Sequence, residues 1–260
     1  MKAIILAAGM GTRLKKYTQE VPKGMLSFIG KTIIERQIEV FRRNGITDIT
    51  VVTGFAREKI DYKGVNYYHN EYYDTTNMVE SLYCAEEKLK DEVIISYADI
   101  IFEDTVLQKM LASKSTVAVA VDRDWKPYWE QRYDRFDFDL ESLGLNDRGE
   151  ITCLGDENVD INDIDGRYVG LIKLSGEGLD RFNEIYKRDK KLFSGKVWKN
   201  TGRLFEKIYM TDMLQALIDD GYPVNACLIE RGWLEFDTNE DYERMLALHE
   251  ENKLADYIKL

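Results

Sequence analysis

The first segment of the chain combines glycines with cations directly after an apolar run. It reads AIILAAGMGTRLKKYTQEVPKGML over residues 3–26 and contains Gly9, Gly11, Arg13 and Lys23. Glycine has no Cβ, so the backbone N–H groups of such a loop can approach phosphate oxygens closely. Arginine and lysine supply the positive charge that a polyphosphate needs. The segment therefore predicts a polyphosphate-binding loop, and a tight strand-to-helix turn with solvated cations is the alternative.

Two common phosphate-loop patterns do not fit this segment. The dinucleotide pattern GxGxxG needs a third glycine, and Leu14 stands at that position. The ATPase pattern GxxxxGK[ST] matches Gly30, Lys31 and Thr32, but its first glycine would fall at Met25. Lys31 and Thr32 are instead predicted to begin a helix. If the first loop binds a nucleotide, it belongs to a third kind of site.

Short apolar strands alternate with helical patterns in the first half of the chain. The strand-like segments are residues 3–8, 49–54, 93–99 and 115–122. Apolar residues at helical spacing lie between them, which predicts a parallel sheet covered on both faces. Ligands of such sheets bind beyond the carboxyl ends of the strands. The sequence thus predicts an α/β fold with a doubly wound, mostly parallel sheet, in one domain that spans residues 1–260.

The distribution of charge favours a small anionic ligand over a nucleic acid. The net charge is −11, whereas proteins that bind nucleic acid carry a basic face. Residues 13–23 nevertheless contain four cations and one anion. The three cysteines form no CxxC pair, and the apolar run at residues 3–8 is too short to span a membrane. These features predict a cytoplasmic protein that binds neither nucleic acid nor a membrane.

The opening segment resembles a long and specific signature, LAAGxG[ST]R[LM] followed further along by PK. This is the signature of the nucleotidyltransferase superfamily that makes nucleoside-diphosphate sugars and related activated alcohols. The resemblance implies a Rossmann-like fold with a smaller acceptor-binding subregion, in which residues 1–122 bind the nucleotide and residues 123–260 bind the acceptor and complete the metal site. It implies catalytic roles for Arg13 and Lys23, which would neutralise charge at the triphosphate. The nucleotide-binding residues that it implies are Leu6, Ala7, Ala8, Gly9, Gly11, Thr12, Arg13, Lys23, Asn77, Ser81 and Asp99.

Two further segments match the same superfamily and imply a metal site. YADI at residues 97–100 stands where the family carries a magnesium-binding aspartate, and Ala98 replaces the usual glycine there. WLEFDTNEDY at residues 233–242 resembles the later ExDTxxD motif of the family. The resemblance implies that Asp99 and Asp237 both bind Mg²⁺. Taken alone, the first is a typical strand-end residue, and DTNED is a typical helix N-cap.

Other segments resemble the phosphocholine cytidylyltransferase branch and its relatives that act on phosphonates. They are NMVESLYCA at residues 77–85, YMTDMLQALI at residues 209–218, and DRDW with the following YW at residues 122–129. The resemblance implies transfer of CMP from CTP to a small phosphorylated alcohol, amino-alcohol or phosphonate, with release of pyrophosphate. The alternatives are a sugar-1-phosphate nucleotidyltransferase that uses UTP, dTTP or GTP, and an inactive nucleotide-binding regulatory homologue. The sequence leaves the oligomeric state open, with a homodimer as one option.

Four residues are candidates for binding the acceptor. Trp125 and Trp129 lie in an aromatic cluster with Tyr128, which could enclose a quaternary ammonium by cation–π attraction. Asp212 would be the counter-charge of that cage, and Lys173 in GLIKLS is the candidate for the acceptor's phosphoryl group. The aromatic cluster could equally form a hydrophobic flap or a dimer contact, and its cationic neighbours would suit a phosphonate. Lys173 could equally be a strand residue that faces solvent.

Overall fold

The computed structural model describes residues 1–133, 135 and 137–260, apart from the side chain of Lys15. No helix among these residues is long and apolar enough to cross a membrane. The strands are β1 (Lys2–Ala7), β2 (Ser27–Phe28), β3 (Lys31–Thr32), β4 (Asp48–Thr53), β5 (Asn66–His69), β6 (Glu92–Tyr97), β7 (Ile100–Phe102), β8 (Val117–Asp122), β9 (Leu143–Leu145), β10 (Ile151–Leu154), β11 (Arg167–Ser175), β12 (Asn225–Ile229) and β13 (Trp233–Glu235). The α-helices are α1 (Lys15–Thr18), α2 (Ile33–Arg43), α3 (Met78–Tyr83), α4 (Asp104–Ala112), α5 (Trp125–Tyr133), α6 (Gly176–Phe193), α7 (Met210–Asp219) and α8 (Asn239–Glu250).

Seven strands form one central sheet in the order β12-β8-β11-β6-β1-β4-β5. Neighbouring strands run parallel, except that β11 pairs antiparallel with both β6 and β8. The strands β1, β4, β6 and β8 consist mostly of buried apolar residues, as strands covered on both faces do. The predicted α/β fold with a mostly parallel sheet is confirmed. The antiparallel position of β11 is a feature that the pattern of segments did not predict.

Helices cover both faces of the sheet and bury two hydrophobic clusters. Helices α2, α4, α5 and α8 contribute to the cluster that contains Ile5, whereas α3, α6 and α7 contribute to the cluster that contains Ile4. These two isoleucines are neighbours in β1, and successive side chains of a strand point to opposite faces. Helix α2 begins with a capping box between Thr32 and Glu35, so the predicted helix start at Thr32 is confirmed.

A short two-stranded ladder brings a late segment of the chain beside the carboxyl end of β6. In it β13 pairs antiparallel with β7, and Glu235 lies opposite Ile100. The N–H of Phe236 then donates to the carbonyl of Asp99 at 3.1 Å. On the other side, the N–H of Ala98 donates to the carbonyl of Leu6 in β1 at 3.2 Å. These contacts place three segments that are far apart in sequence at one edge of the sheet.

Candidate active site

The loop that follows β1 needs glycine at one position. Gly11 has a φ of +61°, a left-handed conformation that residues with a Cβ rarely adopt. A Cβ on Gly11 would lie 3.0 Å from the Cβ of Lys23. The hydroxyl of Thr18 restrains the loop, since it lies 2.9 Å from the carbonyl oxygens of both Gly11 and Leu14. The loop therefore packs closely against Lys23.

A cleft opens at the carboxyl ends of β1 and β6, between the first loop and α3. It has a volume of about 690 Å³, part of which is open to solvent. The side chain of Asn77 caps α3 by accepting from the N–H of Met78 at 2.8 Å, and Ser81 accepts from Nδ2 of Asn70 at 2.9 Å. The cleft brings together most of the residues predicted to bind the nucleotide: Leu6, Ala7, Ala8, Gly9, Gly11, Lys23, Asn77, Ser81 and Asp99.

Lys23 connects the first loop with the two aspartates predicted to bind metal. Its Nζ lies 2.6 Å from Oδ2 of Asp99 and 2.5 Å from Oδ1 of Asp237. Arg13 reaches the same oxygen of Asp237 at 3.1 Å, although its side chain is 60% exposed. Thr12 is exposed on the loop beside them. The structure thus brings both predicted catalytic cations and both predicted metal ligands to one point at the mouth of the cleft.

Glu235 joins Asp99 and Asp237 in a set of three carboxylates, called the carboxylate cluster below. One ligand oxygen of each residue lies within 4.8 Å of the others. Carboxylate oxygens are the side-chain ligands that Mg²⁺ prefers. Oδ1 of Asp99 is buried and has no hydrogen-bond partner among the described residues. The carboxylate cluster therefore fits a divalent cation, and two of its three members are those that the resemblance implied.

The protonation of this site follows from burial and from opposed charges. Burial raises the pKa of Glu235, and the neighbouring charge of Asp237 adds to this effect. Asp237 is buried as well, but the charges of Lys23 and two arginines outweigh burial and hold its pKa below the ordinary value. Burial alone would lower the pKa of Lys23, but Asp99 and Asp237 raise it above the ordinary value. The site thus contains the ion pair of Lys23 and Asp237 next to Glu235, an acid whose raised pKa favours the protonated form.

Sequence reasoning did not assign Glu235, Asp241 or Arg132 to this site. Glu235 and Asp241 are the first and last acids of the ExDTxxD motif in WLEFDTNEDY, the segment that pointed to Asp237. The motif itself was therefore the signal that could have identified them. The side chain of Asp241 accepts from the backbone N–H of Asp237 at 3.0 Å and of Thr238 at 3.1 Å, which fixes the turn after β13. Arg132 lies buried in α5, within a charged aromatic segment where no spacing distinguished it from neighbouring cations.

The aromatic cluster is not an open cage, and the predicted role of Trp125 and Trp129 in binding the acceptor is corrected. Their side chains are 1% and 0% exposed. The guanidinium of Arg132 lies 4.5 Å from the ring centroid of Trp129, and that of Arg167 lies 4.1 Å away. The indole N–H of Trp129 donates to the carbonyl of Phe138 at 2.8 Å. The rings pack in the core against the protein's own cations, so they offer no open face to an ammonium group.

Lys173 lies at the opposite end of the sheet from the cleft. Its Nζ donates to the carbonyl of Ser113 at 2.7 Å and pairs with Glu92 at 2.9 Å. Glu92 is the first residue of β6, whereas Asp99 follows the last residue of that strand. The predicted contact of Lys173 with the acceptor's phosphoryl group is therefore corrected, because its ammonium is buried and satisfied elsewhere.

Asp212 lies at the start of α7 and lines a second groove, apart from the aromatic cluster. Its carboxylate accepts from the N–H of Tyr209 at 2.7 Å and pairs with Arg203 at 3.4 Å. These contacts cap the helix and balance an internal cation. The prediction that Asp212 is the counter-charge of a cage around Trp125 is corrected together with the cage.

Comparison with known proteins identifies the class of protein that this fold and site define. Residues 3–155 match the MobA-like NTP transferase domain. The chain belongs to this family and is a nucleotidyltransferase enzyme, so the resemblance inferred from the opening segment is confirmed. A CTP:phosphoglutamine cytidylyltransferase from Campylobacter jejuni is 35% identical over 257 residues, which cover 94% of this chain and 98% of the relative. A choline-phosphate cytidylyltransferase from Streptococcus pneumoniae is 39% identical over 108 residues, which cover 40% of this chain and 47% of that protein.

The fold is shared with a solved structure. The CTP:phosphocholine cytidylyltransferase LicC from Streptococcus pneumoniae superposes with a TM-score of 0.71 at 23% sequence identity. The superposition covers 95% of this chain and 98% of that chain. The central sheet and its helices therefore have the architecture of a known nucleotidyltransferase over nearly the whole length of both proteins.

Proposed function

We propose that this enzyme transfers CMP from CTP to a small phosphorylated acceptor, releases pyrophosphate and requires Mg²⁺. The observation that carries the proposal is the position of Lys23 between Asp99 and Asp237 at the mouth of the cleft. The choice of CTP is supported by the relatives from Campylobacter jejuni and Streptococcus pneumoniae, which are named as cytidylyltransferases acting on phosphorylated compounds.

The reaction joins two anions, so its main demand on the site is charge neutralisation. An oxygen of the acceptor's phosphate attacks the α-phosphorus of CTP, and the bond from that phosphorus to the bridging oxygen of pyrophosphate breaks. A phosphate with a second pKa of about 6 is already largely ionised at neutral pH, so the attack needs no general base. Arg13 and Lys23 would attract the triphosphate and offset the charge that grows on pyrophosphate. The carboxylate cluster would hold Mg²⁺, which when bound supplies further neutralisation at the phosphate oxygens.

The cleft offers polar groups and free space for the nucleoside. We assign the backbone of residues 6–9 to the ribose and base, and the side chains of Asn77 and Ser81 to the polar edge of the pyrimidine. A Cβ built on Gly9 would meet no described atom within 4 Å, so a ligand can approach the loop closely there. Arg13 is exposed beside the cleft, where its guanidinium can bind the triphosphate.

Phosphoglutamine is the acceptor proposed first. The Campylobacter jejuni relative that is named for it aligns over 94% of this chain, whereas the choline-phosphate relative aligns over 40%. The burial of Trp125 and Trp129 also removes the aromatic cage that favoured phosphocholine. Phosphocholine and small phosphonates remain the next acceptors to test.

Pyrophosphate release from the purified chain with Mg²⁺ tests the proposal. CTP, UTP, dTTP and GTP are each paired with phosphoglutamine, phosphocholine, aminoethylphosphonate and glucose 1-phosphate, with EDTA as the control for metal. We expect release with CTP and phosphoglutamine, phosphocholine or aminoethylphosphonate, and its loss with EDTA. Release only with another nucleotide and the sugar phosphate would replace the proposal with a sugar-1-phosphate nucleotidyltransferase. Absence of release in every pairing would favour an inactive regulatory homologue.

A further inference from the structure

A completely buried arginine connects α5 with the carboxylate cluster. The side chain of Arg132 is 0% exposed, and its Nη1 lies 2.6 Å from Oε2 of Glu235. Its Nη2 lies 2.8 Å from Oδ2 of Asp241 and 3.4 Å from Oδ2 of Asp237. A buried charge is tolerated only when opposite charges and hydrogen bonds compensate it. Arg132 is thus held in place by three acids, two of which belong to the carboxylate cluster.

The two oxygens of Asp237 contact different cations. Oδ1 lies 2.5 Å from Lys23 and 3.1 Å from Arg13, on the side of the cleft. Oδ2 lies 3.4 Å from Arg132, on the side of the core. Because Arg132 attracts one oxygen inward, the other is directed toward the cleft. Asp241 restrains the same residue from its backbone, since it accepts from the N–H of Asp237 at 3.0 Å.

Two rings of the aromatic cluster, Tyr128 and Trp129, and the nearby ring of Tyr133 lie around the guanidinium of Arg132. Its carbon lies 4.5 Å from the ring centroid of Trp129, 4.9 Å from that of Tyr133 and 5.6 Å from that of Tyr128. These distances are in the range of cation–π attraction. A guanidinium is planar, so it can stack on rings while its edge binds carboxylates, which an ammonium cannot do. The cluster that the sequence suggested as a cage for a substrate cation is occupied by an internal one.

We infer that Arg132 is a positioning residue of the transfer reaction, which holds Glu235 and Asp237 in the orientation that binds the divalent cation at the triphosphate. The inference rests on the proposed function, because it presumes that the carboxylate cluster holds a metal. It also gives these three rings a role, since Trp129, Tyr128 and Tyr133 fix Arg132 and, through it, the metal ligands.

Three variants test the inference. Arg132→Met removes both the charge and the planar guanidinium, whereas Arg132→Lys keeps the charge but removes the planar guanidinium. Arg231→Met is the control, because Arg231 also lies near an aromatic ring, 5.7 Å from the centroid of Tyr257, but pairs with Asp124 at 2.7 Å rather than with a member of the carboxylate cluster. The affinity for Mn²⁺ is measured by electron paramagnetic resonance with CTP and no acceptor. The kcat and the KM for the acceptor are measured separately, and circular dichroism monitors folding.

We expect the Kd for Mn²⁺ in the presence of CTP to rise by roughly tenfold or more in Arg132→Met, the effect typical of losing a residue that orients metal ligands. The Kd for Mn²⁺ in Arg132→Lys should lie between the values of Arg132→Met and the wild type. We also expect Arg132→Lys to have a lowered kcat, which excess Mg²⁺ partly restores, and an unchanged KM for the acceptor. Arg231→Met should bind Mn²⁺ as the wild type does.

A folded Arg132→Met chain with wild-type Mn²⁺ affinity and kcat would overturn the inference. If Arg132→Met does not fold, Arg132→Lys decides by the same two quantities. A wild-type chain that binds no Mn²⁺ with CTP would instead contradict the proposed function, so the two failures are distinguishable.

Discussion

The ammonium of Lys23 lies 2.5 Å from Oδ1 of Asp237, an oxygen of the carboxylate cluster that fits a divalent cation. The lysine therefore balances the negative charge of carboxylates that a metal would also use. A metal that binds alone must compete with this ammonium. A bound triphosphate offers the lysine another anionic partner, so nucleotide should favour the metal.

Lys23→Met is expected to have two opposite effects. Turnover should fall by at least about 100-fold, because a group that stabilises charge at the reacting phosphates is lost. The affinity for Mn²⁺ without nucleotide should rise, because the competing ammonium is gone, and titration calorimetry measures it. Lys31→Met is the control, since Lys31 pairs with Glu39 at 2.6 Å on the surface. Metal affinity that is unchanged or weaker in Lys23→Met would refute the competition.

Asp237→Asn should lower turnover by at least about 100-fold, because it removes charge from the carboxylate cluster while keeping the side-chain volume. Asp212→Asn is the matched control, since Asp212 caps α7 and pairs with Arg203 in a different groove. That control should keep its kcat even if its thermal midpoint falls. Steady-state pyrophosphate release measures both variants. Near-native turnover of Asp237→Asn would exclude this residue from the mechanism.

Gly11→Ala should reduce turnover more than its effect on stability explains. Gly11 and Gly30 have φ values of +61° and +79°, so alanine at either position should cost about 1 kcal/mol of unfolding free energy. The added Cβ at Gly11 would lie 3.0 Å from the Cβ of Lys23, whereas a Cβ at Gly30 would meet no described atom within 4 Å. Chemical denaturation and kcat are compared for the two variants. Equal kcat values would show that the contact with Lys23 has no consequence.

Asp189 should make the stability of the chain depend on pH in the acid range. Its carboxylate accepts from the indole N–H of Trp198 at 2.9 Å and pairs with Arg188 at 2.7 Å. Burial opposes ionisation, but the hydrogen bonds from Arg188 and Trp198 and the charge of Lys199 hold the pKa of Asp189 below its ordinary value. A lowered carboxyl pKa stabilises the folded state above the unfolded pKa of about 3.9. This stabilisation is lost as the pH falls through the folded pKa.

The thermal midpoints of the wild type and Asp189→Asn test this dependence. We expect the variant to be less stable at pH 7, and the difference to shrink below a pH of about 4, as the carboxylate becomes protonated. Asp74→Asn, at an exposed position, should show no difference at either pH. A difference for Asp189→Asn that is equal at both pH values would assign its effect to packing rather than to charge.

The residues of the first loop could be predicted because they are close in sequence. Gly9, Gly11 and Arg13 follow the first strand directly, so locating that strand also located the loop at the edge of the sheet where ligands bind. Asp99 and Asp237 are different. Their proximity depends on the pairing of β13 with β7, which no local pattern shows, and it was available only through the family resemblance. The division at residue 122 and the cytoplasmic location stay predictions, and the homodimer stays one option.

The role of α5 could not be predicted, since its environment is made by distant segments. The grouping of Trp125, Tyr128 and Trp129 in sequence suggested a cage for a substrate cation. In the fold, Arg132 is neutralised by Glu235 and Asp241, and this allows a charged residue to be buried among the rings. Lys173 was misplaced for a similar reason, because a strand lysine gives no sign of which end of the sheet its ammonium reaches.

The strand β8 shows that order along the chain and adjacency in space diverge in this enzyme. Its two sheet neighbours, β11 and β12, both follow it in sequence. A polypeptide released after residue 122 would have two open edges on this strand, with its backbone hydrogen bonds unmet and apolar surface uncovered. Such a fragment should aggregate rather than form a smaller nucleotide binder, and during synthesis this part of the sheet can be assembled only after much of the remaining chain has left the ribosome.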